Sequence, residues 1–191
     1  MQISTEHERL VNAAHRLAQV SSGDPLKLFR LLYRLDVRHF QDSGRSCTGE
    51  TYFALADGPA PGTLRSALMM RELDLDTAIA VLTATDYRAP WSFSARSFSA
   101  PDLALLEELE TLYRDVPSCE LMLEDAHAWW RVYNSRGGVG APIPYDMTMG
   151  DSVSSSSVDQ SPEWLKRKRR LRVPESTSDH RIAPRPKTPP A

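Results

Sequence analysis

Cysteine is scarce in this 191-residue sequence, which contains only Cys47 and Cys119. Two cysteines without CxxC spacing exclude a disulfide framework and a zinc-finger signature, so we expect two partly buried free thiols in a reducing compartment. The sequence also lacks an apolar run of the roughly 20 residues that a membrane helix needs, and its first residues lack the apolar core of a signal peptide. These absences predict a cytoplasmic protein without a membrane partner.

Motifs that indicate catalysis or nucleotide binding are missing as well. The segment RSCTGETYFALADGPAP, residues 45–61, has no lysine for a Walker loop. Gly44, Gly49 and Gly58 are too far apart for the GxGxxG fingerprint. GxSxG, HExxH and a cysteine–histidine nucleophile arrangement do not occur either. We therefore predict that the protein is not an enzyme, binds no cofactor and has no catalytic or metal-ligating residues.

Three polar residues keep a chemical alternative open. Asp36 and His39 are three positions apart, so on a regular helix they lie on the same side. His127 from a later helix could join them in a metal site or an acid–base pair. We favour a structural role, in which Asp36 and His39 form a hydrogen-bonded patch against the TGETY turn. His127 shares a helix face with Leu123 and Trp130, which favours a packing role.

Charge is distributed unevenly along a chain whose composition, 41% hydrophobic and 25% charged, is that of an ordinary globular protein. Residues 151–191 carry nine Lys or Arg and five Asp or Glu, a net charge of +4, which leaves −6 for residues 1–150. The last segment is rich in Ser, Pro and Arg and poor in aliphatic residues. We therefore predict a helical domain over residues 1–150 and a disordered basic tail over residues 151–191. Because the tail contains KRKRRLR, a nucleic-acid-associated regulatory protein is the alternative function.

Hydrophobic periodicity predicts a mainly α fold, a compact multi-helix domain with a short β-strand or hairpin element. Leu10, Ala14 and Leu17 mark a first helix. Asp24 is placed as the N-cap of a second helix, which ends at Gly44. The segment TGETYFAL predicts a strand, DGPAPG a stiff turn, and the residues after it a further helix. The segment DTAIAVLTATDYRAPWSF is ambiguous between strand and helix.

Two more helices are predicted in the second half of the domain. Ser99 and Asp102 resemble a capping box, which opens a helix that ends before Pro117. Ser118 caps the next helix, which contains SCELMLEDAHAWWRVYN and is broken by SRGGVG. Its adjacent Trp129 and Trp130 point in different directions, so we expect one in the core and the other available to anchor a partner.

The segment LKLFRLLYRLDVRHFQDSGRSCTGETYFALADGPAPGTL resembles the signature of the Panacea domain of SocA-like antitoxins. In that family a helix of the form KLLYxxDxxHxxxxG leads into a TGxxY turn and then GPxP. The later segments FSAPDLALLEEL and EDAHAWWRVYN follow the family order of a Ser-capped helix and a helix with His and Trp, so that the resemblance covers about residues 8–145. The matching positions are Leu31, Leu32, Tyr33, Asp36, His39, Gly44, Thr48, Gly49, Tyr52, Gly58, Pro59, Pro61, Ser99, His127 and Trp130.

The resemblance implies a mostly helical domain in which TGETYFALADGPAP is a fixed corner against the LLYRLDVRHF helix. It also implies a function, that of a bacterial or phage antitoxin of a type II-like toxin–antitoxin system. Such a protein neutralises a cognate protein toxin by direct binding, and some family members deliver the toxin to a protease. The matching residues would then serve structure or partner binding. Arg30 stands where the family usually has lysine, and Trp129 comes earlier than the family tryptophan.

Overall fold

The computed structural model of the protein describes residues 5–71, 93–124 and 126–149. This part of the chain is mainly helical, with six α-helices and one two-stranded antiparallel hairpin, which confirms the predicted fold class. The elements are α1 (Thr5–Ser21), α2 (Pro25–Ser43), β1 (Tyr52–Leu55), β2 (Gly58–Pro61), α3 (Gly62–Arg71), α4 (Ala100–Tyr113), α5 (Ser118–Glu124) and α6 (Ala126–Tyr133). The predicted disordered tail, and residues 76–92 of the ambiguous segment, lie outside the described residues.

Helix α2 is the central element, and its two ends are those that the sequence predicts. The Asp24 carboxylate accepts hydrogen bonds from the N–H groups of Leu26 (2.9 Å) and Lys27 (3.2 Å), which no helical carbonyl can reach. Gly44 ends the helix with a φ of 73°, and its N–H donates to the carbonyl of Phe40. Between these ends α2 packs against α1, α4, α5 and β2, so the other elements are arranged around it.

Strand β2 corrects the prediction of a stiff turn over DGPAPG, because Gly58–Pro61 pairs with β1 as a strand. The N–H of Gly62 donates to the carbonyl of Thr51 at 2.9 Å, so Gly62 and Thr51 form a hydrogen-bonded pair. In an antiparallel hairpin, hydrogen-bonded and non-hydrogen-bonded pairs alternate along each strand. Pro59 and Pro61 therefore lie in non-hydrogen-bonded pairs, and their nitrogens face away from β1. Because these positions donate no hydrogen bond to β1, proline costs the hairpin none. The fixed φ of proline suits such an edge position as well as a turn, which is why the pattern is misleading.

A segment that follows α6 covers the other side of β1. The N–H of Ala54 donates to the carbonyl of Ala141 at 2.9 Å, and the N–H of Gly140 donates back to Ala54 at 2.7 Å. One step along, the N–H of Ile143 donates to the carbonyl of Tyr52 at 2.7 Å. Strand β1 therefore has backbone partners on both sides, which joins the hairpin to the segment that follows α6.

The second half of the described chain confirms one helix start and corrects the length of another helix. Ser99 and Asp102 form the predicted capping box, with the Ser99 N–H 2.9 Å from the Asp102 carboxylate. The predicted continuous helix from Ser118 is instead two helices, of which α5 ends at Glu124 and α6 begins at Ala126.

The core is built mainly from leucines of α1, α2 and α4, together with aromatic side chains from β1 and α6. Its largest fully buried side chains include Leu17, Leu28, Leu31, Leu32, Leu35, Tyr52, Leu64, Leu106, Leu109, Leu121 and Trp129. Within residues 5–71, 93–124 and 126–149, no helix is both long and apolar enough to cross a membrane.

Candidate functional site

Asp36, in the second half of α2, is the centre of a buried hydrogen-bond network. Its carboxylate accepts hydrogen bonds from the Thr48 N–H (2.7 Å), the Thr48 hydroxyl (2.6 Å) and the Tyr52 hydroxyl (2.7 Å). Thr48 precedes the hairpin and Tyr52 begins β1, so this one carboxylate fastens the corner to α2. We name Asp36, Thr48 and Tyr52 the corner network.

The protonation of the corner network follows from its burial. Burial raises the pKa of Asp36 from 3.8 to about 6, although the hydrogen bonds from Thr48, Tyr52 and the backbone of Cys47 oppose the rise. Burial, with the nearby Asp36 charge, also raises the pKa of the Tyr52 phenol well above 10.0, so this hydroxyl keeps its proton and donates it. At neutral pH Asp36 is therefore a buried anion whose oxygens are occupied by donors of the fold.

Aromatic rings pack around the corner network. The rings of Tyr33 and Tyr52 meet edge to face with centroids 5.1 Å apart, and Tyr145 meets Tyr52 in the same way at 6.3 Å. The Tyr145 hydroxyl donates to the carbonyl of Glu50 at 2.7 Å, while the buried Glu50 carboxylate accepts from the N–H of Thr63 at the start of α3. The corner thus fixes both the hairpin and the helix that follows it.

Two glycines of the motif, Gly49 and Gly58, have backbone conformations that favour glycine, and an arginine side chain also approaches Gly58 closely. Gly58 has a φ of 118°, and a Cβ there would lie 3.3 Å from Nε of Arg30. The Arg30 guanidinium lies beneath the hairpin and donates to the carbonyls of Asp57 and Ser118, so it uses the space that glycine leaves. Gly49 also has a positive φ, of 73°. Both positions therefore favour glycine on conformational grounds.

Two further cations of α2 extend this arrangement along the helix. The Lys27 ammonium donates to the carbonyl of Arg114 at 2.8 Å, just after α4. The Arg34 guanidinium donates to the Tyr113 hydroxyl and, at 3.3 Å, to the carbonyl of Leu121. Each of these buried cations has a backbone carbonyl among its acceptors, just after α4 for Lys27 and within α5 for Arg34. They join α2 to the connection between α4 and α5.

His39 does not share the network of Asp36, which corrects the prediction of a joint patch. Its Nε2 lies 2.9 Å from Oδ1 of Asp102 on α4, and its Nδ1 lies 2.6 Å from the carbonyl oxygen of Arg45. The alternative set of Asp36, His39 and His127 is also not assembled, because His127 is exposed on α6. The packing role predicted for His127 is wrong for the same reason.

A second polar cluster forms around His39 instead. Nη2 of Arg9, from α1, lies 2.8 Å from Oδ2 of Asp102 and 3.2 Å from Sγ of Cys47. Burial raises the pKa of the Cys47 thiol from 9.0 to about 12, against the opposing charge of Arg9. Burial alone would also raise the pKa of Asp102, but hydrogen bonds from Ser99 and the charges of Arg9 and His39 lower it below 3.8. We name Arg9, His39, Cys47 and Asp102 the His39 cluster.

One of the two adjacent tryptophans lies in the core, as the sequence predicts. Trp129 is 1% exposed, and its indole N–H donates to the carbonyl of Leu55 at 2.8 Å. Trp130 is half-buried, with its ring centroid 5.7 Å from that of Trp129 and 6.3 Å from that of Tyr133. Trp130 is therefore the more exposed of the two rings. Of the cysteines, Cys47 is buried but Cys119 is exposed, so the expectation of two partly buried thiols is wrong for Cys119.

Sequence reasoning missed the His39 cluster and the cations of α2. Position 9, positions 39 and 47, and position 102 lie in three distant parts of the chain, and no sequence spacing indicates that they meet. Asp102 is recognised only as a capping residue. The cations do have a signal, because Lys27, Arg30 and Arg34 recur at helical spacing beside the leucine stripe.

Comparisons of the chain with models of protein families, with curated proteins and with solved structures found no match.

Proposed function

We propose that this protein is the antitoxin of a type II-like toxin–antitoxin pair and neutralises a cognate protein toxin by direct binding. The observation that supports the proposal is that residues of the motif that resembles SocA-like antitoxins lie together in the fold. Asp36, Thr48 and Tyr52 are separated in the sequence, yet their side chains meet at one corner. The polar groups of this corner bond to one another, which supports a scaffold that presents a binding surface to a protein.

The toxin-binding surface of this proposal includes the exposed side of α6. Trp130 is half-buried in an aromatic cluster, and tryptophan is enriched among the residues that dominate protein interfaces. His127 lies exposed three positions before it, on the same helix face. The net charge of −6 on residues 1–150 favours a basic toxin, because opposite charges speed the encounter of two proteins.

Growth rescue tests the proposal directly. The product of the gene beside this one is expressed alone and together with the wild-type chain or with a variant. We expect the wild type to restore growth, and the Trp130→Ala variant to restore it less because the anchor is lost. The matched control is Leu112→Ala, which removes another exposed large side chain, on α4 (54% exposed).

Each arm of the growth test has an outcome that contradicts part of the proposal. A neighbouring product that does not slow growth, or whose toxicity the wild type does not relieve, would contradict the antitoxin function. Equal losses for Trp130→Ala and Leu112→Ala would contradict the placement of the toxin on α6. Delivery of the toxin to a protease is tested in the same cells by measuring the amount of toxin, which would fall when the antitoxin is present.

A second candidate function is favoured by the basic run KRKRRLR, residues 166–172. A nucleic-acid-associated regulator would use this run for phosphate contacts, and its affinity would fall steeply with salt. Deletion of residues 151–191 separates the two functions. Loss of DNA retention with toxin neutralisation intact assigns DNA binding to the tail alone.

A further inference from the structure

The His39 cluster contains three side chains that are ordinary ligands of zinc. A ring nitrogen of His39, Sγ of Cys47 and a carboxylate oxygen of Asp102 all lie within 4.8 Å of one another. They come from α2, from the loop before β1 and from α4, so the fold itself brings them together. Ligands of a tetrahedral zinc ion lie roughly 3–4 Å apart, because each is about 2.0–2.3 Å from the metal. Small side-chain movements would bring this set to that spacing.

The imidazole of His39 is oriented for a cation at Nε2. Its Nδ1 lies 2.6 Å from the carbonyl oxygen of Arg45, which only accepts, so Nδ1 carries a hydrogen. Its Nε2 lies 2.9 Å from Oδ1 of Asp102, another acceptor. A lone pair on Nε2 would face the lone pairs of this carboxylate oxygen, and the two would repel each other. A proton or a metal ion between the two atoms removes this repulsion. A histidine whose other nitrogen donates to a backbone carbonyl has the usual orientation of a metal ligand.

The other two ligands also have outer partners. Oδ2 of Asp102 accepts from Arg9 (2.8 Å) and from the N–H of Ser99 (2.9 Å), which leaves Oδ1 for the His39 side. Sγ of Cys47 lies 3.2 Å from the same Arg9 nitrogen. Hydrogen bonds of this kind orient first ligands and are typical of built metal sites.

We infer that His39, Cys47 and Asp102 bind one thiophilic divalent cation, Zn²⁺, with Arg9 retained as an outer partner. On binding, the thiol proton of Cys47 is released to solvent, and the thiolate and the Asp102 carboxylate together balance the two charges of the metal. The site is largely enclosed, since the side chains of His39 and Asp102 are 11% and 5% exposed.

The donor set selects among cations. Thiolate and imidazole ligands favour zinc and disfavour magnesium and calcium, which take oxygen ligands. A bound Zn²⁺ would join α2, the loop before β1 and α4, and so stabilise the folded state by mass action.

Cobalt binding to the full-length protein tests the site with a signal specific for thiolate. Co²⁺ coordinated by a cysteine thiolate gives a near-ultraviolet charge-transfer band, and Zn²⁺ abolishes the band by displacement. The Cys119→Ser variant keeps Cys47 as its one thiol, so a band in this variant assigns the ligand without any change in the cluster. We expect the wild type and Cys119→Ser to bind one Co²⁺ with this band and to lose it on addition of Zn²⁺.

Histidine variants provide the matched control. His39→Gln is expected to weaken cobalt binding at least about 100-fold, while the exposed His127→Gln leaves it unchanged. Far-UV circular dichroism of both variants verifies that they are helical. A Cys119→Ser protein without the band, or equal affinities for His39→Gln and His127→Gln, would overturn the inference. Saturable binding of Mg²⁺ in competition with Co²⁺ would also overturn it.

Discussion

Replacement of Asp36 by asparagine tests whether a buried carboxylate holds the corner to α2. In the folded protein burial raises the pKa of Asp36 from 3.8 to about 6. At about 1.4 kcal/mol for each pH unit, this difference corresponds to roughly 3 kcal/mol between the protonated and the ionised folded states. The asparagine side chain has nearly the same shape as the aspartate side chain and no charge, so the Asp36→Asn protein lacks this pH-dependent contribution.

The sign of the effect follows from proton binding. The folded state binds the Asp36 proton more tightly than the unfolded state, so stability from this group is fully present below about pH 4. It is lost as the pH rises through the folded pKa of about 6. The wild type should therefore lose roughly 2.4 kcal/mol relative to the Asp36→Asn variant between pH 4 and pH 7.5, because the unfolded-state carboxyl is already partly ionised at pH 4.

Urea unfolding of both proteins at these two pH values measures the effect, with EDTA present to exclude metal ions. Other titrating groups are shared by the two proteins, so the difference between the proteins isolates Asp36. Asp42→Asn, an exposed position on the same helix, is the matched control and retains the buried Asp36 carboxylate. A difference between the wild type and Asp36→Asn that is the same at both pH values would refute the reasoning.

Substitutions at four other positions test further parts of the fold by urea unfolding. Gly58→Ala should cost about 1–3 kcal/mol, because its φ of 118° is strained for alanine and the new Cβ approaches Arg30, and an unchanged midpoint would contradict this packing. Trp129→Ala should lower the free energy of unfolding by about 3–5 kcal/mol, since the side chain is 1% exposed. Trp130→Ala should lower it clearly less because Trp130 is half-buried, and the reverse order would contradict the burial of Trp129 in the core. Asp24→Ala should cost about 0.5–2 kcal/mol through loss of the α2 cap, and no loss would mean that other groups satisfy those N–H donors.

Local features of the fold could be predicted from the sequence because they are encoded within a few residues. Asp24 and Gly44 bound α2, and Ser99 with Asp102 starts α4, since capping depends on neighbours three or four positions away. The sequence predicts the hairpin as an element, but it favours a turn in place of the second strand because proline suits both.

The arrangement of the site is harder to predict because it depends on contacts between distant parts of the chain. Asp36 and His39 are neighbours on α2, yet Asp36 bonds to the corner and His39 to Asp102. Spacing along one helix predicts a shared side, but not which element packs against each position. The meeting of His39 with Cys47 follows only from the packing of the loop before β1 and of α4 against α2.

Co-purification tests the central claim, toxin neutralisation by direct binding, most directly. The tagged full-length chain is expressed with the product of the adjacent gene and purified at two salt concentrations. We expect a stable complex that survives gel filtration and whose association slows as salt increases, since residues 1–150 carry a net charge of −6. Recovery of the chain alone, from cells in which the neighbouring product is present and toxic, would contradict the account.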